Sequence, residues 1–257
     1  MTADSRRMQL TSLSIVLPCF NEEENVAAAV EEATAAAKLV AQAHEVIVVD
    51  DGSTDATLDA ALEQAALDPR VHVVLHEQNR GYGAALRSGI ALAHMDWVFL
   101  TDADLQFDLT DLRLFLPIAS EHDLLMGYRL NRQDPLHRRI NARAWNWLVR
   151  RAFGVDVGDV DCAFKLIRSD LLQQIELTSD GAMVSPELVL KAQRLGARIA
   201  ELGVRHRPRR AGRSSGANPR VIARAFHELR AVHAAIDTAP APAPAPAAAV
   251  QPPALGA

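Results

Sequence analysis

The sequence predicts an α/β fold: a single domain with one mostly parallel sheet and helices on both of its faces. Three observations predict it. Short apolar runs alternate with helix-length amphipathic stretches through the first half of the chain. Several of those runs are apolar at successive positions, as strands covered on both faces must be. No Gly-, Ser- or Pro-rich linker separates the two halves. With 257 residues, 49% hydrophobic and 23% charged, the chain can bury a sizeable core. The composition excludes a disordered chain, a collagen-like repeat and a disulfide scaffold. Cys19 and Cys162 are the only cysteines, which fits a reducing compartment. No apolar run reaches the roughly 18–20 residues a membrane helix needs. A cytoplasmic protein, soluble or peripheral on the membrane face, is therefore expected.

The elements follow in order. Residues 1–10 are polar and expected to be loose. Residues 12–18 read as a strand ending at Pro18. Asn21, with Glu22-Glu23-Glu24 behind it, is a candidate N-cap for a helix reaching about residue 42. Glu45–Asp50 is a buried strand, and Asp55 opens a helix to Leu67. Val71–Leu75 is a strand, Gly81–His94 a helix and Trp97–Leu100 a strand. A helix at 109–119 and a strand at His122–Met126 close the first half. The second half carries a basic helix at 136–153 and a strand at 162–167. Helices near 169–176 and 185–195, a strand near 198–205 and a helix at 219–236 complete it. The domain thus spans 11–236. Residues 237–257 hold six of the 13 prolines in Ala-Pro repeats, and read as a disordered, extended tail.

Ligands in such sheets bind beyond the carboxyl ends of the strands. Three constellations lie there. Asp50-Asp51-Gly52-Ser53-x-Asp55 delivers two carboxylates to a sharp turn, where they can accept hydrogen bonds from a ribose diol or a base N–H. Capping accounts for Asp55 but not for the adjacent acids. Thr101-Asp102-Ala103-Asp104-Leu105-Gln106 places two acids one residue apart at a strand end, so both can point the same way. Oxygen ligands in this number suit Mg²⁺ or Mn²⁺, the remainder coming from a nucleotide diphosphate. Asn79-Arg80-Gly81-Tyr82-Gly83 is a glycine-rich helix start beside them, or simply a turn that glycine permits. Leu86 stands at the third glycine position of a dinucleotide fingerprint, which disfavours a dehydrogenase. Leu105-Gln106 after Asp104 disfavours a phosphatase with Asp102 as nucleophile.

Charge is split along the chain. Residues 21–70 hold twelve acids and two bases, and residues 205–230 hold eight arginines and one acid. An acidic site facing an anion-binding surface would produce this, and so would two solvated faces. Segment 206–216 reads as a mobile anion-binding loop in which arginine suits phosphate. On a helix at 136–153, Arg139, Arg143 and Arg150 form one stripe, and Leu136, Ile140, Trp147 and Leu148 another. That pattern serves an interfacial membrane helix, or a helix packed on the sheet. Nucleic acid is not expected as a partner, because the basic segments lack interleaved aromatics and the chain is acidic overall.

Together, Pro18-x-x-Asn21-Glu22, Asp50-Asp51-Gly52-Ser53-x-Asp55, Asn79-x-Gly81-x-Gly83 and Asp102-Ala103-Asp104-Leu105-Gln106 resemble the inverting nucleotide-sugar glycosyltransferases of family 2, which have a GT-A fold. Asp-Ala-Asp-Leu-Gln is similar to the dolichol- or polyprenol-phosphate mannose synthase branch. Gly127-Tyr128-Arg129, Asp161-Cys162-Ala163-Phe164-Lys165 and Arg209-x-x-Gly212-x-Ser214 match that branch loosely. The resemblance implies transfer of a hexose, mannose or glucose, from GDP-mannose or UDP-glucose to a polyprenyl or dolichyl monophosphate. It implies that Pro18, Asn21, Glu22, Asp50, Asp51, Ser53, Gly81, Asp102 and Ala103 line the donor. Asp104 and Gln106 would hold Mg²⁺ or Mn²⁺. Arg129, Arg138, Arg209 and Ser214 would meet the diphosphate or the acceptor phosphate. An ionised lipid phosphate attacks without a strong base, whereas in the wider family a carboxylate serves, here Glu187. The chain departs from the branch at Phe107-Asp108-Leu109, where His and prolines are usual, and it lacks the Gln-x-x-Arg-Trp of processive polymerases. A transferase acting on a soluble or cell-wall glycan, and a nucleotide-sugar-binding module without turnover, remain the alternative readings.

Overall fold

A computed structural model describes residues 9–130, 147, 149–151, 154 and 157–209. The expected helices at 136–153 and 219–236 and the Ala-Pro tail lie wholly or largely outside them. Seven strands form one sheet: β1 (Leu10–Cys19), β2 (Ala41–Asp50), β3 (Val71–Leu75), β4 (Trp97–Thr101), β5 (Leu124–Leu130), β6 (Phe164–Arg168) and β7 (Ile199–Arg205). Their order is β3-β2-β1-β4-β6-β5-β7. β6 runs antiparallel to both of its neighbours, and the other pairs are parallel.

Alternation along the strands makes two cores. Ile15, Leu17, Val46 and Val48 point to one face, under helix α1 (Val26–Val40). Val16, Ile47, Val49, Val98 and Leu100 point to the other, under α3 (Tyr82–Leu92) and α5 (Val184–Arg194). α2 (Thr57–Leu67) packs beside α1, and α4 (Ser169–Leu172) is a single turn after β6. α3 lies close to the sheet: a Cβ at Gly89 would stand 2.4 Å from Val16 Cγ1.

Four expectations change in detail, the first being that the helix expected near 169–176 is only the single turn α4. Asn21 is not a helix cap, since α1 starts four residues later after Asn25. The stretch 109–119 forms two 3-10 helices, Leu109–Leu114 and Leu116–Glu121. Pro117 lacks an N–H and disfavours α geometry at Leu116, which breaks a continuous helix. β5 begins at Leu124 and reaches Leu130, because β7 pairs with it throughout, from Leu124↔Ile199 to Leu130↔Arg205.

Register aligns the functional ends. Cys19 lies opposite Asp50, and Val16 lies opposite Leu100. The C-terminal ends of β1, β2 and β4 therefore open on one edge, with β1 between the other two. That edge is the crevice where doubly wound sheets bind ligands.

Candidate functional site

The loops after β1 and β2 lock each other. Asn21 adopts a left-handed backbone, φ 56°. Its N–H donates to Ser53 Oγ at 2.9 Å, and its Oδ1 accepts from Thr54 N–H at 2.8 Å. Glu22 N–H donates to Thr57 Oγ1 at 2.8 Å. Glu23 N–H reaches Asp55 Oδ2 at 3.3 Å, and Glu23 Oε2 accepts from Ala56 N–H at 2.9 Å. Asn21 and Ser53 thus shape the turn through each other. Pro18 is half-buried one residue before the end of β1.

Asp51 is buried and well supplied with donors. Oδ1 accepts from His76 Nδ1 at 2.7 Å and from Arg80 N–H at 2.9 Å, while Oδ2 accepts from Gly81 N–H at 2.8 Å. The neighbouring Asp50 Oδ1 accepts from Ser53 N–H at 3.3 Å. The glycines here answer to packing. At Gly52, φ +70°, a Cβ would lie 2.4 Å from the Gln78 carbonyl carbon. At Gly83 it would lie 2.1 Å from the Ser179 carbonyl oxygen. Gly83 N–H also donates to the Asp180 carbonyl at 2.7 Å. The Gly-x-Gly start of α3 is thus the seat of the 179–180 loop.

β4 delivers Asp102 and Asp104 to the same edge. Asp102 Oδ1 is buried with no hydrogen-bond partner among the described residues. Burial raises the Asp102 pKa, against the Tyr82 hydroxyl and the nearby charges of Arg129 and Lys165. Burial, followed by the Asp102 charge, raises Asp104 to about 6. Ala103 between them is buried, and Leu105 takes a left-handed backbone, φ 59°, that a branched side chain rarely adopts. The turn aims both carboxylates into the site at the cost of that strain.

The segment after β7 lies along this turn. His206 bridges Phe107, and Arg207 N–H donates to the Gln106 carbonyl at 2.6 Å. Gln106 Nε2 faces the Arg207 carbonyl at 3.4 Å. Arg205 pairs with Asp108 and Asp111, and Arg207 with Asp108 and Glu32. Arg209 pairs with Glu22 and with Asp104, the latter at 3.4 Å. Arg207 and Arg209 are thus paired with carboxylates, and residues 210–216 of the expected anion-binding loop lie outside the described residues. Arg138 and Ser214 lie outside the described residues.

Arg129 is held by Asp159 at 3.4 Å and donates to the Asp161 carbonyl at 2.8 Å. Lys165, buried beside it, donates to Ser185 Oγ at 3.4 Å and to the Cys162 carbonyl. Glu187 does not fit the expected base. It is fully buried on α5, and Oε1 accepts from Thr178 N–H (2.9 Å), Thr178 Oγ1 (2.7 Å) and Lys191 Nζ (2.7 Å). Oε2 accepts from Ser179 N–H at 2.8 Å. Burial alone would raise its pKa, but the Lys191 ammonium and these N–H groups outweigh it and hold the carboxyl below the usual range. A carboxylate with four donors and no access to solvent is a bracket for the 178–179 loop. His76 and Ser88 carry no local signal of a role in the sequence, since one is a histidine after a strand and the other a serine within a helix.

Among the described residues no three His, Cys, Asp or Glu side chains converge as a ready metal site. The donor set at β4 still suits a hard cation. Asp102 Oδ1 lacks a partner among the described residues, Asp104 lies beside it, and Mg²⁺ or Mn²⁺ normally completes its shell with phosphate and water oxygens.

Comparison with known proteins agrees with this architecture. The undecaprenyl-phosphate 4-deoxy-4-formamido-L-arabinose transferase of Yersinia pestis (strain Pestoides F) is 33% identical over 216 residues, 83% of this chain and 65% of the relative. That of Yersinia pseudotuberculosis serotype O:3 matches equally. The chain spans about two thirds, 65%, of the length of these relatives. Glucosyl-3-phosphoglycerate synthase from Mycobacterium tuberculosis in complex with UDP superposes with TM-score 0.66 at 21% identity, covering 90% of this chain and 83% of that one. The same enzyme with Mn²⁺, UDP and phosphoglyceric acid gives 0.66 at 22% identity, covering 92% and 82%. The sequence model described as glycosyl transferase family 2 matches residues 14–175, so this chain belongs to glycosyl transferase family 2.

Proposed function

We propose that the protein transfers a sugar from a nucleoside diphosphate to a polyprenyl monophosphate such as undecaprenyl phosphate. The observation that carries this reading is the Asp102–Asp104 pair at the end of β4, beside the Asp50–Asp51 turn: Asp104 is buried, and the buried Asp102 Oδ1 has no hydrogen-bond partner among the described residues. Asp51, Asp50, Glu22 and Pro18 would line the nucleoside. Asp104, with Asp102 and Gln106, would hold Mg²⁺ or Mn²⁺, which when bound stabilises charge developing on the leaving diphosphate. An oxygen of the acceptor phosphate attacks the anomeric carbon, and the bond to the nucleoside diphosphate breaks. Arg129 and Arg209 would meet these anions.

Two observations favour a phosphate acceptor over a hydroxyl. Glu187, the candidate base, is spent on the fold, and a phosphate near neutral pH is already ionised. The relatives that match 83% of the chain are named for transfer to undecaprenyl phosphate. The sugar is a hexose in this reading, mannose or glucose, although a 4-deoxy-4-formamido-L-arabinose donor belongs in the screen. No helix among the described residues is long and apolar enough to cross a membrane. The lipid would be met at the cytoplasmic membrane face by segment 136–153, whose Trp147 is 67% exposed.

The test is transfer of labelled sugar from GDP-mannose, UDP-glucose and the formamido-arabinose donor to undecaprenyl phosphate with Mn²⁺. A butanol-extractable sugar lipid is expected from one donor. Asp104→Asn should lose at least about a hundredfold in rate while still folding. Transfer to glycan hydroxyls but not to the lipid, or nucleotide-sugar binding without transfer to any acceptor, would overturn the reading.

A further inference from the structure

We propose that His76 is a positioning residue for nucleotide recognition, holding the Asp51 carboxylate in the orientation that receives the nucleoside. The inference rests on the reading that Asp51 faces the nucleoside. His76 stands just beyond β3 and its side chain is 4% exposed. An ionised carboxylate only accepts, so the hydrogen between His76 Nδ1 and Asp51 Oδ1 (2.7 Å) belongs to the imidazole. On the far side His76 Nε2 meets Ser88 Oγ of α3 at 2.8 Å. In the neutral ring the Ser88 hydroxyl donates to Nε2. The backbone joins in, as His76 N–H donates to the Asp50 carbonyl at 2.9 Å.

The relay has a definite consequence. A carboxylate offers about four acceptor positions. His76, Arg80 N–H and Gly81 N–H occupy three of them, and together they fix the rotamer, so the remaining capacity has one direction. The same bonds set the 80–81 turn on which the Asp180 carbonyl lies, 2.5 Å from where a Cβ on Gly81 would be. A side chain needed only for filling at this buried place would be apolar, since an imidazole must find partners for both nitrogens. Those partners are an acid at the nucleoside edge and a serine on the helix behind it.

The experiment compares the full-length wild type, His76→Leu, His76→Gln and Ser88→Ala. Calorimetry with UDP and with GDP, each with Mn²⁺, is combined with donor KM, kcat and melting temperature. For His76→Leu the affinity for the bound nucleotide should fall about tenfold, with donor KM rising in step. Its kcat at saturating donor should stay within about twofold of wild type. His76→Gln should recover part of the affinity, and Ser88→Ala should lose about two- to threefold. A folded His76→Leu that binds nucleotide like the wild type overturns the proposal, as does an equal loss in kcat and affinity. If His76→Leu fails to fold, unchanged affinity in Ser88→Ala overturns it. A wild type that binds neither nucleotide shows instead that the nucleotide reading itself has failed.

Discussion

Glu187→Gln separates a structural carboxylate from a catalytic one. The side chain is fully buried and takes four donors. An amide keeps one acceptor oxygen and turns its NH₂ toward the other donors. Either the Ser179 N–H or the Thr178 pair then loses its partner, which costs about 1–3 kcal/mol for a buried donor. The Lys191 ion pair at 2.7 Å also goes, worth about 1 kcal/mol with Lys191 25% exposed. A total near 3 kcal/mol is expected, or a Tm lower by about 6–12 °C for a domain of this size. The pH dependence has a definite sign. The folded pKa lies below the ordinary 4.5, so the contribution is present above that pH and is lost as pH falls through the folded value. Urea titrations of both proteins at pH 7.5 and near pH 4 should show a gap that narrows in acid. A variant within about 0.5 kcal/mol of wild type whose turnover fell a thousandfold would refute this and return Glu187 to the role of base.

Three further outcomes follow from the geometry. Gly83→Ala should destabilise by about 2 kcal/mol in urea unfolding, because the new Cβ meets the Ser179 and Asp180 backbone rather than a yielding side chain; an unchanged midpoint would mean that the 179–180 loop does not sit there. Arg209→Gln should bind Mn²⁺ at least about fivefold more tightly without nucleotide, by titration calorimetry, since the guanidinium pairs with Asp104, the carboxylate that would hold the cation; equal or weaker binding would refute that competition. Burial pushes the Cys162 thiol up to about 12 and the Cys19 thiol well above its usual range. Neither should react with Ellman's reagent until denaturant is added.

Seven strands, the helices α1, α2, α3 and α5 and the acids at the strand ends are legible in the residue pattern alone. Hydrophobic periodicity and turn chemistry are local, so Glu45–Asp50 and Trp97–Leu100 announce themselves within a few residues. The pattern also places Asp51, Asp102 and Asp104 at one edge, because parallel strands share a direction. Which of these charges are available depends on contacts between residues far apart in the chain. Arg209 meets Glu22 across 187 positions of sequence, and Arg205 meets Asp111 across 94. Those pairings tie Arg205, Arg207 and Arg209, the described part of the basic segment, to carboxylates around the β4 turn. Glu187 reads in sequence like any helix acid, and only its burial under the 178–179 loop makes it a bracket. His76 shows no pattern until β2, β3 and α3 bring Asp51 and Ser88 to its two nitrogens. The physical reason is common to all three: a charge or polar atom acquires its role from desolvation and from partners, and both are set by contacts between distant parts of the chain.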